Sequence, residues 1–300
     1  MSTVAEALRE EAARLAATSD SARLDAELLM AHALGVNRSE LLLRHMHDPA
    51  PQMFAALVEQ RSAHEPVAYI VGTKEFYGLE LMVTREVLIP RSDSETLIEA
   101  AREAFADRSP KQILDLGTGS GALLLAALSV WPEAEGLGLD CSLEALIVAI
   151  KNAQRHANTS IAFVGGGPLD LPPERIDRGF ARFIQGDWRK RGWRAHIARF
   201  DLILCNPPYI EDDAELGPDV RDWEPAGALF AGPDGLDAYR VLIPQLSELL
   251  TSNGVAVLEI GATQAEQVAE IAAQSGFSAE MRRDLGGRPR ALILRLGLGK

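Results

Sequence analysis

The sequence has little cysteine and a shortage of basic charge, and each shortage excludes a class of protein. Cys141 and Cys205 are the only two cysteines in 300 residues, which excludes a disulfide scaffold and a cysteine-rich metal site. Lysine and arginine total 30 against 43 aspartate and glutamate residues, for a formal net charge of −13. Proteins that bind nucleic-acid phosphates need the opposite balance, so no direct nucleic-acid partner is expected.

Long apolar runs are missing as well. No stretch reaches the length of a membrane-spanning helix, and the first residues lack the basic flank and apolar core of a signal peptide. Paired cysteines or histidines with metal-binding spacing are absent, so we expect no metal. With 47% hydrophobic residues the chain can bury a large core. We therefore expect a monomeric cytoplasmic protein that makes no membrane contact.

The first 64 residues have the pattern of short amphipathic helices. Apolar residues recur at helical spacing after Ser19-Asp20-Ser21, after Ser39, and between Pro51 and Arg61. The pattern predicts a small helical bundle. No side chains in it have catalytic spacing, because its histidines are scattered.

The pattern changes to alternation of apolar and polar residues between Lys74 and Ile89. Together with Gly78 this alternation predicts a β-hairpin that connects the bundle to the rest of the chain. A helix follows, and Ser92 with Glu95 three residues later predicts a capping box at its start.

Strands and helices alternate through the rest of the chain. Strands are predicted at Gln112–Leu116, Gly136–Leu139, Arg182–Ile184, a run ending at Cys205, Gly254–Ile260, Ala279–Arg283 and Ala291–Leu296. Helices are predicted from Ala122, Ser142 and Thr263, with a loop inserted at Gly165 to Arg178. Such β-α repeats predict a mostly parallel, doubly wound α/β sheet, whose ligands lie beyond the carboxyl ends of the strands.

A glycine-rich turn follows the first strand of this sheet. Ile113–Leu116 leads directly into Gly117-Thr118-Gly119-Ser120-Gly121, which lets backbone approach a ligand closely. One strand later, Asp140 stands where a carboxylate can take both hydroxyls of a ribose. The pair predicts a nucleoside-bearing cofactor, and the G-x-G-x-G spacing disfavours NAD.

Two further strands end in unusual residues. Ile184 is followed closely by Asp187 and Trp188, which suit the amine and the flat face of an adenine, although Trp188 alone fits a core position equally well. The apolar run 201–205 ends at Asn206-Pro207-Pro208-Tyr209. Proline cannot continue a sheet, so the Asn206 side chain and the Pro207 carbonyl become a rigid pair of acceptors that suits an amide or adenine NH2 group. The alternative is a plain strand end with a half-buried tyrosine.

These segments, in this order, resemble the S-adenosylmethionine-dependent methyltransferases that act on planar NH2 nitrogens. Within that group the chain is similar over nearly its whole length to the release factor glutamine methyltransferases, the HemK/PrmC family. Other stretches share this similarity: 23–29, 65–70, 72–78, 89–95, Glu224-Pro225 and 232–237. The family usually has proline and threonine where this chain has Ser92 and Ser94.

The resemblance implies a fold, a reaction and a set of site residues. The fold is a Rossmann-like class I methyltransferase sheet (residues 92–300) joined by a β-hairpin (74–91) to a helical substrate-recognition domain (1–73). The reaction is methyl transfer from S-adenosylmethionine to a glutamine side chain of a protein, namely the Gly-Gly-Gln motif of peptide chain release factors. The alternative substrates for methylation are a glutamine of a ribosomal protein and adenine N6 of a nucleic acid. The implied catalytic residues are Asn206, Pro207, Pro208 and Tyr209, and the implied cofactor-binding residues are Asp115, Gly117, Thr118, Gly119, Ser120, Gly121, Asp140, Asp187, Trp188 and Asn206.

Overall fold

The structure is a computed structural model that describes residues 2–156, 160–164, 180–195 and 197–297. The chain divides into two compact units, one of residues 1–73 with 216–224 and the other of residues 74–215 with 225–300. The loop expected at Gly165 to Arg178 lies outside the described residues. None of the helices in the described ranges combines the length and the apolar character that a membrane crossing needs.

The first unit is built from short helices, as predicted. They are α1 (Val4–Leu15), α2 (Ala22–Leu34), α3 (Arg38–Glu40) with a π-helical turn (Leu41–His45), α4 (Met53–Ser62), α5 (Val67–Val71) and, in the second segment of the unit, α9 (Pro218–Arg221). Leu8, Leu29 and Phe54 meet in its core. The first helix begins with a capping box, in which the Thr3 hydroxyl accepts the Glu6 N–H and the Glu6 carboxylate accepts the Thr3 N–H.

Two buried carboxylates of α2 tie this unit together. Asp25 pairs with Arg61 at 2.7 Å and also accepts hydrogen bonds from two serine hydroxyls. Glu27 pairs with Arg23 at 2.6 Å and Arg38 at 2.7 Å. The acidic residues of segment 23–29 therefore hold the helices in place.

A β-hairpin with a two-residue turn leads into the second unit, which confirms the predicted hairpin. Its strands are β1 (Thr73–Phe76) and β2 (Leu79–Met82). Tyr77 and Gly78 both have positive φ, 52° and 77°, as the two-residue turn of a right-twisted hairpin requires.

The capping box predicted from Ser92 and Glu95 is wrong. A 3-10 turn (Ser92–Ser94) precedes α6 (Glu95–Ala104), and no side chain caps either start. Glu95 instead accepts the backbone N–H of Tyr77 at 3.0 Å. The Tyr77 N–H of the hairpin turn is partly buried and needs a hydrogen-bond partner, so the Glu95 carboxylate binds there.

The second unit contains an eight-stranded sheet with helices on both faces, which confirms the predicted fold class. Its strands are β3 (Gln112–Leu116), β4 (Glu135–Asp140), β5 (Ser160–Val164), β6 (Phe180–Gln185), β7 (Phe200–Cys205), β8 (Leu250–Glu259), β9 (Phe277–Arg283) and β10 (Pro289–Leu296). The order is β5-β6-β4-β3-β7-β8-β10-β9, with parallel pairing up to β8 and antiparallel pairing beyond it. Strand β5 was not predicted.

Two apolar clusters cover the sheet. One contains side chains of α6, α7 (Ala122–Val130) and α8 (Leu143–Arg155). The other contains side chains of α10 (Asp237–Leu242), α11 (Leu246–Leu249) and α12 (Ala265–Gln274). Alternate residues of one strand serve both clusters, since Ile113 belongs to the first and Leu114 to the second. The carboxyl ends of the parallel strands lie between these two layers.

Candidate active site

Five strand ends are aligned at one edge of the sheet. The registered neighbours are, in order across the sheet, Ile184, Leu139, Leu116, Cys205 and Leu258. Neighbouring strands lie about 5 Å apart. The residues that follow these strand ends therefore lie along the same edge, which is where a parallel sheet binds ligands.

The glycine-rich turn after β3 is closed against the end of β4. The Gly117 and Thr118 N–H groups both donate to the Leu139 carbonyl oxygen, at 2.8 and 3.0 Å. Three glycines of the turn have φ between 53° and 83°, a region that side chains disfavour. A Cβ at Gly117 would lie 3.1 Å from the Trp188 ring, so glycine also leaves room for that ring.

Backbone N–H groups orient Asp140. Gly119 N–H donates to its Oδ2 and Ser142 N–H to its Oδ1, both at 2.9 Å. Burial raises the pKa of this carboxyl, and the backbone donors oppose the rise. Each oxygen keeps a lone pair, so the carboxylate can still accept the two hydroxyls of a ribose.

Asp115 is a buried carboxylate with one unpartnered oxygen. It is 1% exposed, and its Oδ2 accepts the Thr118 hydroxyl at 2.6 Å. Its Oδ1 has no hydrogen-bond partner among the described residues. Burial, with a smaller contribution from Asp140, raises the pKa of Asp115 to about 7. A buried acceptor below a glycine turn fits a cationic amino group, such as that of a methionine moiety.

The segment after β6 is held by polar contacts of its own. Both oxygens of Asp187 contact the Arg189 guanidinium, at 2.9 and 3.1 Å, and this pairing lowers the pKa of Asp187. Trp188 is half-buried against the second cluster, and its carbonyl oxygen accepts from Gln245 at 3.1 Å. The adenine contacts assigned to Asp187 and Trp188 stay a prediction.

The Asn206-Pro207-Pro208-Tyr209 turn leaves β7 directly beside the glycine turn. Tyr209 is fixed twice: its hydroxyl donates to Glu259 Oε1 at 3.1 Å, and its carbonyl oxygen accepts from Gln264 at 3.0 Å. The backbone then pairs with residues 229–231 through Ile210. Neither the Asn206 side-chain oxygen nor the Pro207 carbonyl oxygen accepts a hydrogen bond from the described residues. The structure thus brings two open acceptors to the site edge.

Sequence reasoning missed the residues that support this turn, namely Glu259, Gln264 and Arg290. Glu259 ends the apolar strand β8, one residue after Leu258, which is aligned with the other strand ends. The signal was present, because Asp115 and Asp140 also stand at the ends of apolar strands. Arg290 carries no comparable sequence signal, since it meets Asp93 only through the fold.

Comparison with known proteins agrees with this geometry. A family model described as the PrmC N-terminal domain matches residues 6–72, and one described as a methyltransferase domain matches residues 107–282. The release factor glutamine methyltransferase of Cereibacter sphaeroides is 40% identical over 97% of this chain and 98% of its own. That of Agrobacterium fabrum is 38% identical over 91% and 90%. The chain belongs to the release factor glutamine methyltransferase family.

Membership in this family makes the chain a methyltransferase and S-adenosylmethionine its methyl donor. The residues present fit that cofactor: Asp115 has a buried free oxygen, the turn at Gly117 has no side chain in the way, and Asp140 is oriented to accept two hydroxyls. Among solved structures, a methyltransferase from Pyrococcus furiosus has a TM-score of 0.50 and 16% identity, and it covers 81% of this chain and 98% of its own. That likeness supports the fold.

Proposed function

We propose that this protein transfers the methyl group of S-adenosylmethionine to the side-chain amide nitrogen of a glutamine in the Gly-Gly-Gln motif of a peptide chain release factor. The observation that carries the proposal is the pair of open acceptors, Asn206 Oδ1 and the Pro207 carbonyl oxygen, aligned beside the Gly117 turn. The relatives are release factor glutamine methyltransferases, and they supply the substrate class. Peptide chain release factors are thus the proposed protein partners.

The acceptor pair suits a glutamine amide because an NH2 group has two N–H donors to place. Asn206 and Pro207 would each accept one of them, which fixes the plane of the amide and the direction of its nitrogen. Pro208 and Tyr209 would pack against the flat face of the amide. Two prolines make the turn rigid, so little conformational entropy is lost when the substrate binds.

The remaining residues position the methyl donor. When bound, S-adenosylmethionine supplies an electrophilic methyl group on a positively charged sulfur. Asp140 would hold the ribose hydroxyls, Asp115 the amino group, and Asp187 with Trp188 the adenine. No strong base is needed at the site, because an amide nitrogen becomes acidic as it gains the methyl group. Cys205 is no candidate nucleophile, since burial raises the pKa of its thiol well above the usual range.

We also propose that the enzyme works as a cytoplasmic monomer without direct nucleic-acid contacts. Cys141 and Cys205 are free thiols, as a reducing compartment requires. The net charge of −13 disfavours adenine in a nucleic acid as the substrate.

The test is mass spectrometry of a purified release factor after incubation with the protein and S-adenosylmethionine. We expect one added methyl on the glutamine of its Gly-Gly-Gln motif. A release factor with that glutamine replaced by alanine is the matched control and should gain nothing. Methylation of a ribosomal protein or of DNA, with the release factor unmodified, would contradict the proposal.

A further inference from the structure

Glu259 is a buried acidic side chain beside the proposed substrate turn, and the mechanism above does not use it. It is 1% exposed and ends β8, where Leu258 is registered with Cys205 and Glu259 is therefore level with Asn206. Its own carbonyl oxygen accepts the Tyr239 hydroxyl at 2.8 Å, and its backbone pairs with Ala291 of β10. The glutamate therefore stands on rigid elements.

Only one side chain of the substrate turn reaches this carboxylate. Tyr209 donates its hydroxyl to Glu259 Oε1 at 3.1 Å. The other end of the same residue is held by Gln264, whose Nε2 donates to the Tyr209 carbonyl oxygen at 3.0 Å and to Gly235 at 3.3 Å. A Cβ at Gly235 would clash with the Tyr209 carbonyl oxygen, so this packing is close. Tyr209 is thus fixed at its ring and at its backbone.

A buried cation, Arg290, acts electrostatically on Glu259. Arg290 is 8% exposed and donates to Asp93 at 3.0 Å and to Asp284 at 3.4 Å. Burial raises the pKa of Glu259, and Ser94, Arg290 and Tyr209 lower it. Segment 91–94 and strand β10 therefore both contribute to the electrostatic environment of Glu259.

The geometry favours a hydrogen-bonded anchor over a proton acceptor. Burial and the Glu259 carboxylate raise the pKa of Tyr209, so its hydroxyl stays protonated and keeps donating. The glutamate oxygen that faces the turn is occupied by that hydroxyl. An amide nitrogen, in turn, needs no strong base.

We propose that Glu259 is the positioning residue of the substrate turn: it anchors the Tyr209 ring and thereby sets the angle at which Asn206 and Pro207 present their acceptors. The inference rests on the proposed function, because its kinetic readout is methyl transfer to glutamine. Asp140 and Asp115, the proposed ligands of the cofactor, lie elsewhere along the edge. A change at Glu259 should therefore affect turnover and not cofactor affinity.

Three variants separate anchoring from other roles. Glu259→Gln keeps an acceptor for the Tyr209 hydroxyl and should retain activity within about threefold of wild type. Glu259→Leu and Tyr209→Phe should each lower kcat by about 10- to 100-fold, with cofactor affinity nearly unchanged. The double variant should lose no more than either single one, because both changes remove the same contact. Glu266→Leu, at an exposed glutamate of α12, is the control and should leave kcat unchanged.

Other outcomes would overturn the proposal. Loss of activity in Glu259→Gln, with a shifted pH profile of kcat, would make Glu259 an acid-base group. Fully additive losses in the double variant would mean that the two residues act independently. An equal fall in cofactor affinity and kcat would mean that Glu259 supports the whole edge.

A spectroscopic readout keeps the inference testable apart from the substrate. The chain has four tyrosines, so protein labelled with 3-fluorotyrosine gives few fluorine resonances, and Tyr209→Phe identifies the one of interest. Glu259→Leu should shift or broaden the Tyr209 resonance, whereas Glu259→Gln should move it less. An unchanged resonance would refute the anchor. If wild-type protein methylates no release factor, the proposed function fails while this measurement still decides the role of Glu259.

Discussion

The carboxylates that helix α2 buries in the first unit differ in their partners from those buried at the edge of the sheet in the second unit. In the first unit every carboxylate oxygen of Asp25 and Glu27 has a partner, mostly an arginine. At the edge of the sheet, Asp115 and Glu259 each keep one oxygen without a partner among the described residues. The first arrangement minimises the cost of burying charge, and the second does not.

The difference separates structural from functional burial. A fully paired carboxylate holds elements together and has no capacity left for a ligand. An unpartnered acceptor raises the free energy of the free protein, and a ligand that donates to it recovers that energy on binding. The acceptors at Asn206 and Pro207 belong to the second group, with Asn206 half-buried and Pro207 buried.

The largest effect is expected where an open acceptor is removed. Asn206→Ala should lower kcat by about 100- to 1,000-fold, because one of two acceptors for the substrate NH2 is lost. Cofactor affinity, measured by calorimetric titration, should be nearly unchanged. If both quantities fall equally, Asn206 is a structural cap of the strand and the comparison fails at this residue.

A paired carboxylate should respond in stability instead. Arg61→Met leaves Asp25 buried without its cation and should lower the free energy of unfolding by about 3–5 kcal/mol, measured by urea denaturation. The double variant with Asp25→Leu should recover much of that loss. Activity per folded molecule should stay near wild type, and a selective loss of activity would show that the pair does more than hold helices.

The unpartnered carboxylate of Asp115 should make free-protein stability depend on pH. Its pKa rises from 3.8 when unfolded to about 7 when folded, so its contribution is fully present below pH 4 and is lost as pH rises through 7. Asp115→Asn should therefore stabilise the free protein at pH 8 by about 4 kcal/mol and little at pH 4. The same variant should bind S-adenosylmethionine more weakly, and unaltered binding would remove Asp115 from the cofactor site.

The smallest effect is expected at the solvent-facing side of the first unit. Arg38→Ala removes one of two cations from Glu27, but Arg38 is 47% exposed and Arg23 remains. The loss should be at most about 1 kcal/mol in urea denaturation. A loss as large as that of Arg61→Met would mean that the stabilisation from these ion pairs does not depend on their exposure.

Local patterns predicted most of the elements. Apart from β5, the strands from Gln112 to Cys205 and the antiparallel pair at the end of the chain occur within a few residues of their predicted positions. The errors arise where a distant group competes. Glu95 accepts a hydrogen bond from the hairpin turn, 18 residues away, and does not cap its own helix start. A hydrogen bond needs only a partner in reach, and reach is decided by the fold.

The sequence by itself determined the family, through motifs that resemble it. It also determined most of the strands and helices and the turns that carry the candidate site, because these follow from periodicity, glycine and proline. Only the tertiary structure decided which polar groups are paired. It joined Asp93 to Arg290, 197 residues apart, and Tyr209 to Glu259, 50 residues apart. The physical reason is that folding brings residues far apart in the sequence within hydrogen-bond distance, and no local pattern specifies which of them will meet.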